Sequence, residues 1–323
     1  MKIEEKCISK TLFKYIFRSV DEYREHRKTN VDVINRYEQV ERYFVPWFLR
    51  YKAYPPNQSS ISGRLIKRLY DLLIKLLPQK YQEFYIQGFS YPAKKEVQFL
   101  VDFKYSSNNQ INWRERVVCP ITGLNNRIRA TVHIFETDVI PSANDCIYIT
   151  EQVTPLFKYL SAKYPDVIGS EFLGNNIAGG FISENGIRHE DLTNLSFSNE
   201  QFSCVVSLDC LEHIPNYIDA FAECFRVLKP GGKFIWSVPF LSNSEKNLIR
   251  AKLNKDGSIE YFLPPEYHGD PVGSGGILCF THFGWNMIDE VKHVGFSDTY
   301  AIFFWSSYYG YLGGEQVLFI AIK

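Results

Sequence analysis

The stretch FSCVVSLDCLEHIPNYIDAFAECFRVLKPGGKFIWSVPF, residues 202–240, decides the fold of this chain. It opens with an apolar, β-branched run, Cys204–Leu208, which is typical of a buried strand. Apolar residues between Ile218 and Leu228 then recur at helical spacing. The run KPGG at 229–232 ends that helix, because proline cannot continue it and glycine relieves the turn. A second apolar strand, Lys233–Val238, completes a predicted βαβ unit with two parallel strands.

The same residues carry a family resemblance. LEHI at 211–214, followed by RVLKPGG at 226–232, resembles the fourth strand through the fifth strand of class I S-adenosylmethionine-dependent methyltransferases. The resemblance covers residues 145–323 and implies a Rossmann-like, doubly wound, mostly parallel α/β sheet. It also implies S-adenosyl-L-methionine as the cofactor and in-line methyl transfer to an acceptor. The alternative is an ordinary doubly wound α/β domain of another class.

The composition of the chain indicates which binding partners and which cellular compartment to expect. The chain has 323 residues, with 36 Lys+Arg and 36 Asp+Glu, so its net charge near zero argues against broad electrostatic capture of nucleic acid. No apolar stretch is long enough to cross a bilayer. Seven scattered cysteines without a CxxC pair, and no signal peptide, indicate a reducing cytoplasm. A homo-oligomer remains open.

We expect no metal site. The run CPITG at 119–123 resembles half of a zinc knuckle, but Thr122 stands where the second cysteine would be. Zinc needs about four ligands, and the sequence contains no second knuckle.

The pattern of predicted helices and strands divides the chain into three parts. Residues 1–90 are predicted as a helical N-terminal extension, with amphipathic spacing over Thr11–Val45 and a second helix over Ile61–Leu77. Residues 91–144 are predicted as a small β-rich segment, and residues 145–323 as the methyltransferase-like domain. Within that domain Asn247–Asn254 is predicted as a helix, and one of the last two strands as the antiparallel edge of the sheet. The N-terminal helices either form a lid or docking region or pack on the catalytic domain, and we favour packing.

The turn after the first core strand departs from the family pattern. Cys146–Ile149 is the predicted strand, and helix Pro155–Lys163 follows the turn. The family has a Gly-x-Gly-x-Gly loop here, whose missing side chains let the backbone approach the cofactor. Glu151, Val153 and Pro155 take the three glycine positions in this chain. The resemblance implies that Thr150, Glu151 and Thr154 instead bond the methionine part through their side chains.

Other cofactor contacts follow from the resemblance. Glu171 ends the predicted second strand, where a carboxylate can accept hydrogen bonds from both ribose hydroxyls. HEDLTNLSF at 189–197 resembles the segment after strand three, which implies that Asp191 accepts the adenine amine and Leu192 packs on the ring. Asp209 follows the fourth strand, beside the methionine end.

A Pro- and Gly-rich segment, residues 263–276, is predicted to present polar side chains to the acceptor. In the family this insert covers the methyl end of the cofactor pocket, which implies that Glu266, Tyr267 and Asp270 surround the acceptor. His268 is the candidate general base. The equal alternative is a loop histidine ordered by Asp270. His213 is a competing base, although a packing role suits it better.

The predicted function is therefore methyl transfer to oxygen or nitrogen of a small-molecule or glycan-type acceptor. A catalytically inactive methyltransferase-like binding or scaffold protein is the main alternative, favoured by the missing glycines. A nicotinamide-dinucleotide protein is a weaker one, because the chain also lacks that fingerprint.

Overall fold

The computed structural model describes residues 10–46, 49–50, 64–65, 68–69, 72, 82–106, 110–273 and 275–323. The chain divides into two compact units. One comprises Met1–Tyr15, Arg27–Ile134 and Phe303–Gln316, and the other Ile16–His26, Phe135–Ile302 and Val317–Lys323. The three-part division predicted from sequence stays a prediction.

The described helices, in chain order, are α1 (Val20–Thr29), α2 (Val31–Phe44), α3 (Asn126–Ile134), α4 (Pro155–Lys163), α5 (Tyr217–Val227) and α6 (Asn286–Val294). The longer strands are β1 (Phe13–Phe17), β2 (Phe84–Ser90), β3 (Lys95–Val101), β4 (Ile147–Ile149), β5 (Val167–Gly169), β6 (Phe202–Leu208) and β7 (Leu228–Ser237). The remaining strands are β8 (Leu248–Ile249), β9 (Ala251–Leu253), β10 (Ile259–Tyr261), β11 (Tyr267–His268), β12 (Ile277–Leu278), β13 (Thr281–His282), β14 (Asp298–Ser306) and β15 (Tyr311–Ile322).

The first unit is built on a β-hairpin. β2 and β3 pair antiparallel from Phe84 opposite Val101 to Ser90 opposite Lys95. Side chains alternate between buried and exposed along β2, as a half-buried strand requires. The buried face joins a core that includes Phe99, Trp113 and Trp305.

In the described part of the chain, the main sheet has seven strands in the order β1-β14-β15-β7-β6-β4-β5. Strand β4 is parallel to β5 on one side and to β6 on the other, and β6 is parallel to β7. β15 is antiparallel to β7. The predicted doubly wound, mostly parallel α/β fold is confirmed. The antiparallel strand is internal, however, and not the edge that the sequence predicted, because β14 and β1 lie beyond it.

The deciding stretch folds as predicted. β6, α5 and β7 form the βαβ unit, but the KPGG run belongs to the start of β7. Phe202 pairs with Leu228 and Cys204 with Lys233, so residues 229–232 form an irregularity in the pairing. Gly231 has a φ of 75°, a conformation that glycine adopts without strain.

Two helix predictions were wrong. Leu12, Tyr15 and Ile16 were assigned to a helix, but 13–17 form β1 at the edge of the seven-stranded sheet. Asn247–Asn254 was also predicted as a helix, but it forms β8 and β9, which pair with β13 and β10. Partner strands supply the backbone bonds in both places, and such tertiary pairing overrides local spacing. The predicted β-rich segment likewise contains a helix, α3.

Most of the predicted helix Ile61–Leu77 lies outside the described residues. Among the residues that are described, no helix is both long and apolar enough to cross a membrane.

Candidate active site

The parallel strands place the candidate site at their carboxyl edge. Ile149 at the end of β4 pairs with Val206 of β6 and with Gly169 of β5. The chain goes from β4 to β5 on one side and returns to β6 on the other, which makes a topological switch point. A crevice for a ligand forms at such a point, because the loops leave the sheet in opposite directions.

The turn Thr150–Thr154 lies at this switch point and is tied to its neighbours. The Thr150 backbone N–H donates to Val206 (3.0 Å), and its hydroxyl donates to the Ser207 hydroxyl (3.1 Å). Thr154 is the N-cap of α4, and its hydroxyl accepts the Phe157 N–H at 3.3 Å. Both threonine side chains thus have structural partners, and their predicted bonds to a methionine group stay predictions, as does that of Glu151.

Glu171 organises this turn. Its Oε1 accepts the backbone N–H groups of Gln152 (2.6 Å) and Val153 (3.0 Å). Oε2 accepts no hydrogen bond from the described chain. The residue is 6% exposed, and burial raises the pKa of its carboxyl, with a further upward contribution from the Asp270 charge. One oxygen therefore holds the turn, and the other is available to a ligand.

Gln152 was missed by the sequence analysis. Its side-chain amide donates to the Gly186 carbonyl at 2.9 Å, and its amide oxygen accepts the Arg188 N–H at 2.7 Å. It therefore joins the turn after β4 to the segment that precedes His189. The long-range pairing has no local sequence signal.

The residues predicted to contact adenine follow Glu190, whose backbone N–H donates to the Glu171 carbonyl at 3.2 Å. Asp191 accepts the backbone N–H (2.8 Å) and hydroxyl (2.7 Å) of Thr193 through one oxygen, Oδ1. Leu192 is buried at 6% exposure. Phe172, which directly follows Glu171, is 55% exposed and was also missed. An apolar ring beside an acidic strand end offers a stacking surface, and this adjacency could have been found in the sequence.

Asp209 ends β6 in an uncommon conformation. Its φ is 47°, in the left-handed region that non-glycine residues rarely adopt. Its N–H donates to the Ser237 carbonyl (2.9 Å), and its Oδ1 accepts the Ser237 hydroxyl (2.8 Å). The end of β7 thus holds Asp209 in place, at the edge where the sequence analysis expected the methionine group.

Only some of the predicted acceptor residues come together. His268 Nε2 lies 3.1 Å from Glu266 Oε1, and His268 Nδ1 lies 3.4 Å from Glu212 Oε1. The His213 and His268 rings meet edge to face with their centroids 4.9 Å apart. Glu212, which the sequence analysis missed, raises the pKa of His268, with Glu266 contributing.

Tyr267 and Asp270 are not part of this group. Tyr267 is 56% exposed. Asp270 accepts the N–H groups of Val272 and Gly273, both at 2.8 Å, and so orders its own turn. The alternative in which Asp270 orders His268 is wrong, because the ring is held between two glutamates. The assignments of His268 or His213 as a general base stay predictions.

The residues at this edge fit the nucleoside part of the expected cofactor. Glu171 offers an oxygen that has no hydrogen-bond partner among the described residues, and the exposed Phe172 follows it in the chain. A vicinal diol needs an acceptor of this kind, and a purine needs an apolar face. The glycine-free turn differs from the family loop, but its backbone is ordered by Glu171 and Gln152.

A doubly wound sheet with an acidic strand end and a switch-point crevice defines a Rossmann-like, nucleotide-binding α/β protein. Comparison with known proteins makes the class specific. The methyltransferase domain family matches residues 156–236. This match and the two curated relatives described next confirm, for the matched part of the chain, the resemblance to the class I S-adenosylmethionine-dependent methyltransferase superfamily.

Two curated relatives share part of the chain. A Mycolicibacterium smegmatis protein named "Probable S-adenosylmethionine-dependent methyltransferase" is 40% identical over 53 residues, which are 16% of this chain and 21% of that protein. The ubiquinone biosynthesis O-methyltransferase of Roseobacter denitrificans is 28% identical over 109 residues, 32% of this chain and 43% of the relative. The matched parts thus span less than half the length of either relative.

A solved S-adenosylmethionine-dependent methyltransferase from Mesorhizobium loti has 13% identity and a TM-score of 0.35, covering 61% of this chain and 96% of that one.

Proposed function

We propose that this chain transfers the methyl group of S-adenosyl-L-methionine to an oxygen or nitrogen atom of a small-molecule or glycan-type acceptor. The observation that carries the proposal is Glu171, whose Oε2 has no partner in the described chain while Oε1 orders the turn after β4. The cofactor supplies an activated methyl group on its sulfonium.

The nucleoside end is assigned to the edge between β5 and the segment around 191. Glu171 holds the ribose hydroxyls, Phe172 stacks on the base, and Asp191 with Leu192 contacts the opposite edge of the base. The Thr193 bonds use one oxygen of Asp191, and its other oxygen is the acceptor for an exocyclic amine.

The methionine end is assigned to the crevice between the turn at 150–154 and Asp209. Thr150, Glu151 and Thr154 line one side, and Asp209 the other, because β4 and β6 are adjacent and parallel. An anionic Asp209 suits an ammonium group, and the Ser237 bond fixes its carboxylate in one orientation.

The acceptor is assigned to the segment around 266–270. His213 Nδ1 lies 2.8 Å from the Leu278 carbonyl, and Leu278 pairs with Tyr267, so this segment lies beside the loop that follows β6. His268 or His213 would take the proton of an acceptor hydroxyl or amine. The name of the Roseobacter relative, an O-methyltransferase, favours oxygen as the accepting atom.

Calorimetric titration with S-adenosylmethionine and with its demethylated product tests the proposal. We expect saturable binding of both to the wild-type chain and to Glu260→Gln, a control at an exposed carboxylate of β10. Glu171→Gln keeps the size of the side chain but removes its charge, and we expect affinity to fall about 10- to 100-fold.

A screen of hydroxyl- and amine-bearing acceptors, read as formation of the demethylated product, follows on the wild-type chain. Absence of binding by the folded protein at about millimolar cofactor would overturn the proposal and favour the scaffold alternative. Equal affinities of Glu171→Gln and wild type would overturn the assignment of Glu171.

A further inference from the structure

We propose that Glu212, His213 and His268 bind a divalent metal ion such as Zn²⁺. Each residue offers one ligand atom, and these three atoms all lie within 4.8 Å of one another. No metal site was expected from the sequence, because Thr122 replaces the second cysteine of the only knuckle-like run. This site is made instead from two distant segments, the short 3-10 helix Leu211–His213 and strand β11.

The first observation is a buried carboxylate. The side chain of Glu212 has 0% exposure, and neither of its oxygens has a hydrogen-bond partner in the described chain. Its nearest nitrogen atoms are His268 Nδ1 at 3.4 Å and His213 Nε2 at 3.8 Å. Burying an ionised carboxylate is unfavourable by several kcal/mol unless it is paired or coordinates a metal. Glu212 therefore requires a positive partner, which is either a protonated imidazole or a metal ion.

The second observation is that the other nitrogen of each histidine already has an acceptor. His213 Nδ1 lies 2.8 Å from the Leu278 carbonyl, so this nitrogen is the donor and Nε2 carries a lone pair. His268 Nε2 lies 3.1 Å from Glu266 Oε1, which likewise leaves Nδ1 as the lone-pair nitrogen. Metal-binding histidines almost always donate their second N–H to a carbonyl or carboxylate in this way.

Glu266 is itself fixed for that supporting role. Arg250 Nη2 lies 3.1 Å from its Oε2, and His282 Nε2 lies 3.2 Å from its Oε1. With these contacts the Glu266 carboxylate is held in place beside His268 Nε2 and orients the His268 ring.

The distances around Glu212 suit coordination. Ligand atoms about 2.0–2.2 Å from a tetrahedral ion are separated from one another by about 3.3–3.6 Å. The separations of 3.4 and 3.8 Å from Glu212 Oε1 are close to this range and long for charge-assisted hydrogen bonds. Two imidazoles and one carboxylate are also the donor set of catalytic zinc sites, which keep one position open.

A second grouping, Glu266, His268 and Cys279, shares His268. The Cys279 thiol lies 3.6 Å from the Thr281 carbonyl. We favour the first grouping because the Glu212 side chain is fully buried and accepts no hydrogen bond from the described chain. The open position would receive an acceptor oxygen, and this last step rests on the proposed function.

The metal content of the untagged protein, measured by elemental analysis, tests the proposal. Protein stripped with a chelator and reloaded with Zn²⁺ or Co²⁺ is expected to hold one ion per chain by elemental analysis. Co²⁺ should give the absorption of a low-coordinate site. Glu212→Gln and His268→Ala should each weaken Zn²⁺ binding more than about 100-fold. His293→Ala, an exposed histidine of α6 outside the cluster, should bind like wild type. Cys279→Ser should also retain the ion.

Thermal unfolding separates a metal ligand from a structural ion pair. Zn²⁺ should raise the midpoint of wild type and not of Glu212→Gln. Without metal, Glu212→Gln removes the charge that faces His268, so the midpoint of the metal-free variant serves only as the reference for its Zn²⁺-induced shift. A Zn²⁺-induced shift in Glu212→Gln equal to that of wild type, or a folded wild type that retains no ion, would overturn the proposal. Both readouts are independent of methyl transfer.

Discussion

Replacement of Glu171 separates its two roles. Glu171→Ala removes the acceptor of the Gln152 and Val153 N–H groups as well as the oxygen assigned to ribose. Glu171→Gln keeps one acceptor oxygen for the turn and removes only the charge. We therefore expect both variants to lose cofactor affinity, but only Glu171→Ala to loosen the turn.

The free-energy loss expected in Glu171→Ala follows from the two hydrogen bonds that Gln152 and Val153 donate. A bond to a charged acceptor contributes about 1.5–3 kcal/mol, but burial opposes ionisation here, as the raised pKa of Glu171 shows. A net loss of about 1–3 kcal/mol for the pair increases local opening roughly 5- to 150-fold. Hydrogen exchange at the amides of residues 152 and 153 should accelerate by that factor in Glu171→Ala and change much less in Glu171→Gln.

Dependence on pH provides an internal check. Because the folded-state pKa of Glu171 is raised, this group stabilises the fold most below its ordinary pKa, and that stability decreases as pH rises through the raised pKa. Cofactor affinity has the opposite trend, since the ribose contact needs the carboxylate. Affinity should decrease as pH falls through the raised pKa in wild type and stay flat in Glu171→Gln.

The reasoning would be refuted by unchanged exchange at both amides in Glu171→Ala. Equal exchange in the Ala and Gln variants would also contradict it, because the two oxygens would then have no separate roles. Hydrogen exchange is preferable to a global unfolding measurement here, since a chain with two compact units need not unfold in one step.

Two further predictions concern packing. Gly169→Ala would place its Cβ 2.5 Å from the Phe157 ring and 2.7 Å from the Glu151 carbonyl oxygen. We therefore expect the free energy of unfolding in urea to fall by about 1–3 kcal/mol and cofactor binding to weaken. Wild-type values for both measurements would contradict this close packing. Glu41→Ala would leave the Trp305 indole N–H and the N–H groups of 313 and 314 without their shared acceptor, Glu41 Oε1, at a cost of about 3–5 kcal/mol. Glu41→Gln keeps an acceptor oxygen and should cost clearly less, whereas equal losses would show that charge, and not the bonds, matters there.

Local features of the sequence predicted much of the second unit. Apolar spacing and the KPGG turn predicted β6, α5 and β7, because strand and helix periods differ and the turn residues limit the backbone. The predicted helix Pro155–Lys163 matches α4, since its start is set by the Thr154 cap. Glu171 was identified by its place at a strand end.

The sequence could not predict contacts between distant segments. Gln152 meets Gly186 and Arg188 only after β4 and β5 are paired. In the same way β1 and β8 become strands because neighbouring strands provide backbone partners, which local spacing does not record.

By itself, then, the sequence determined the βαβ order, the family resemblance and the acidic strand end at Glu171, because each depends on residues close together in the chain. Only the tertiary structure decided which polar side chains meet. Glu212 and His213 follow β6, whereas His268 belongs to β11, and their approach depends on the folded path of the chain between them. A buried carboxylate becomes visible only when burial and partners are known, since both are properties of the packed chain.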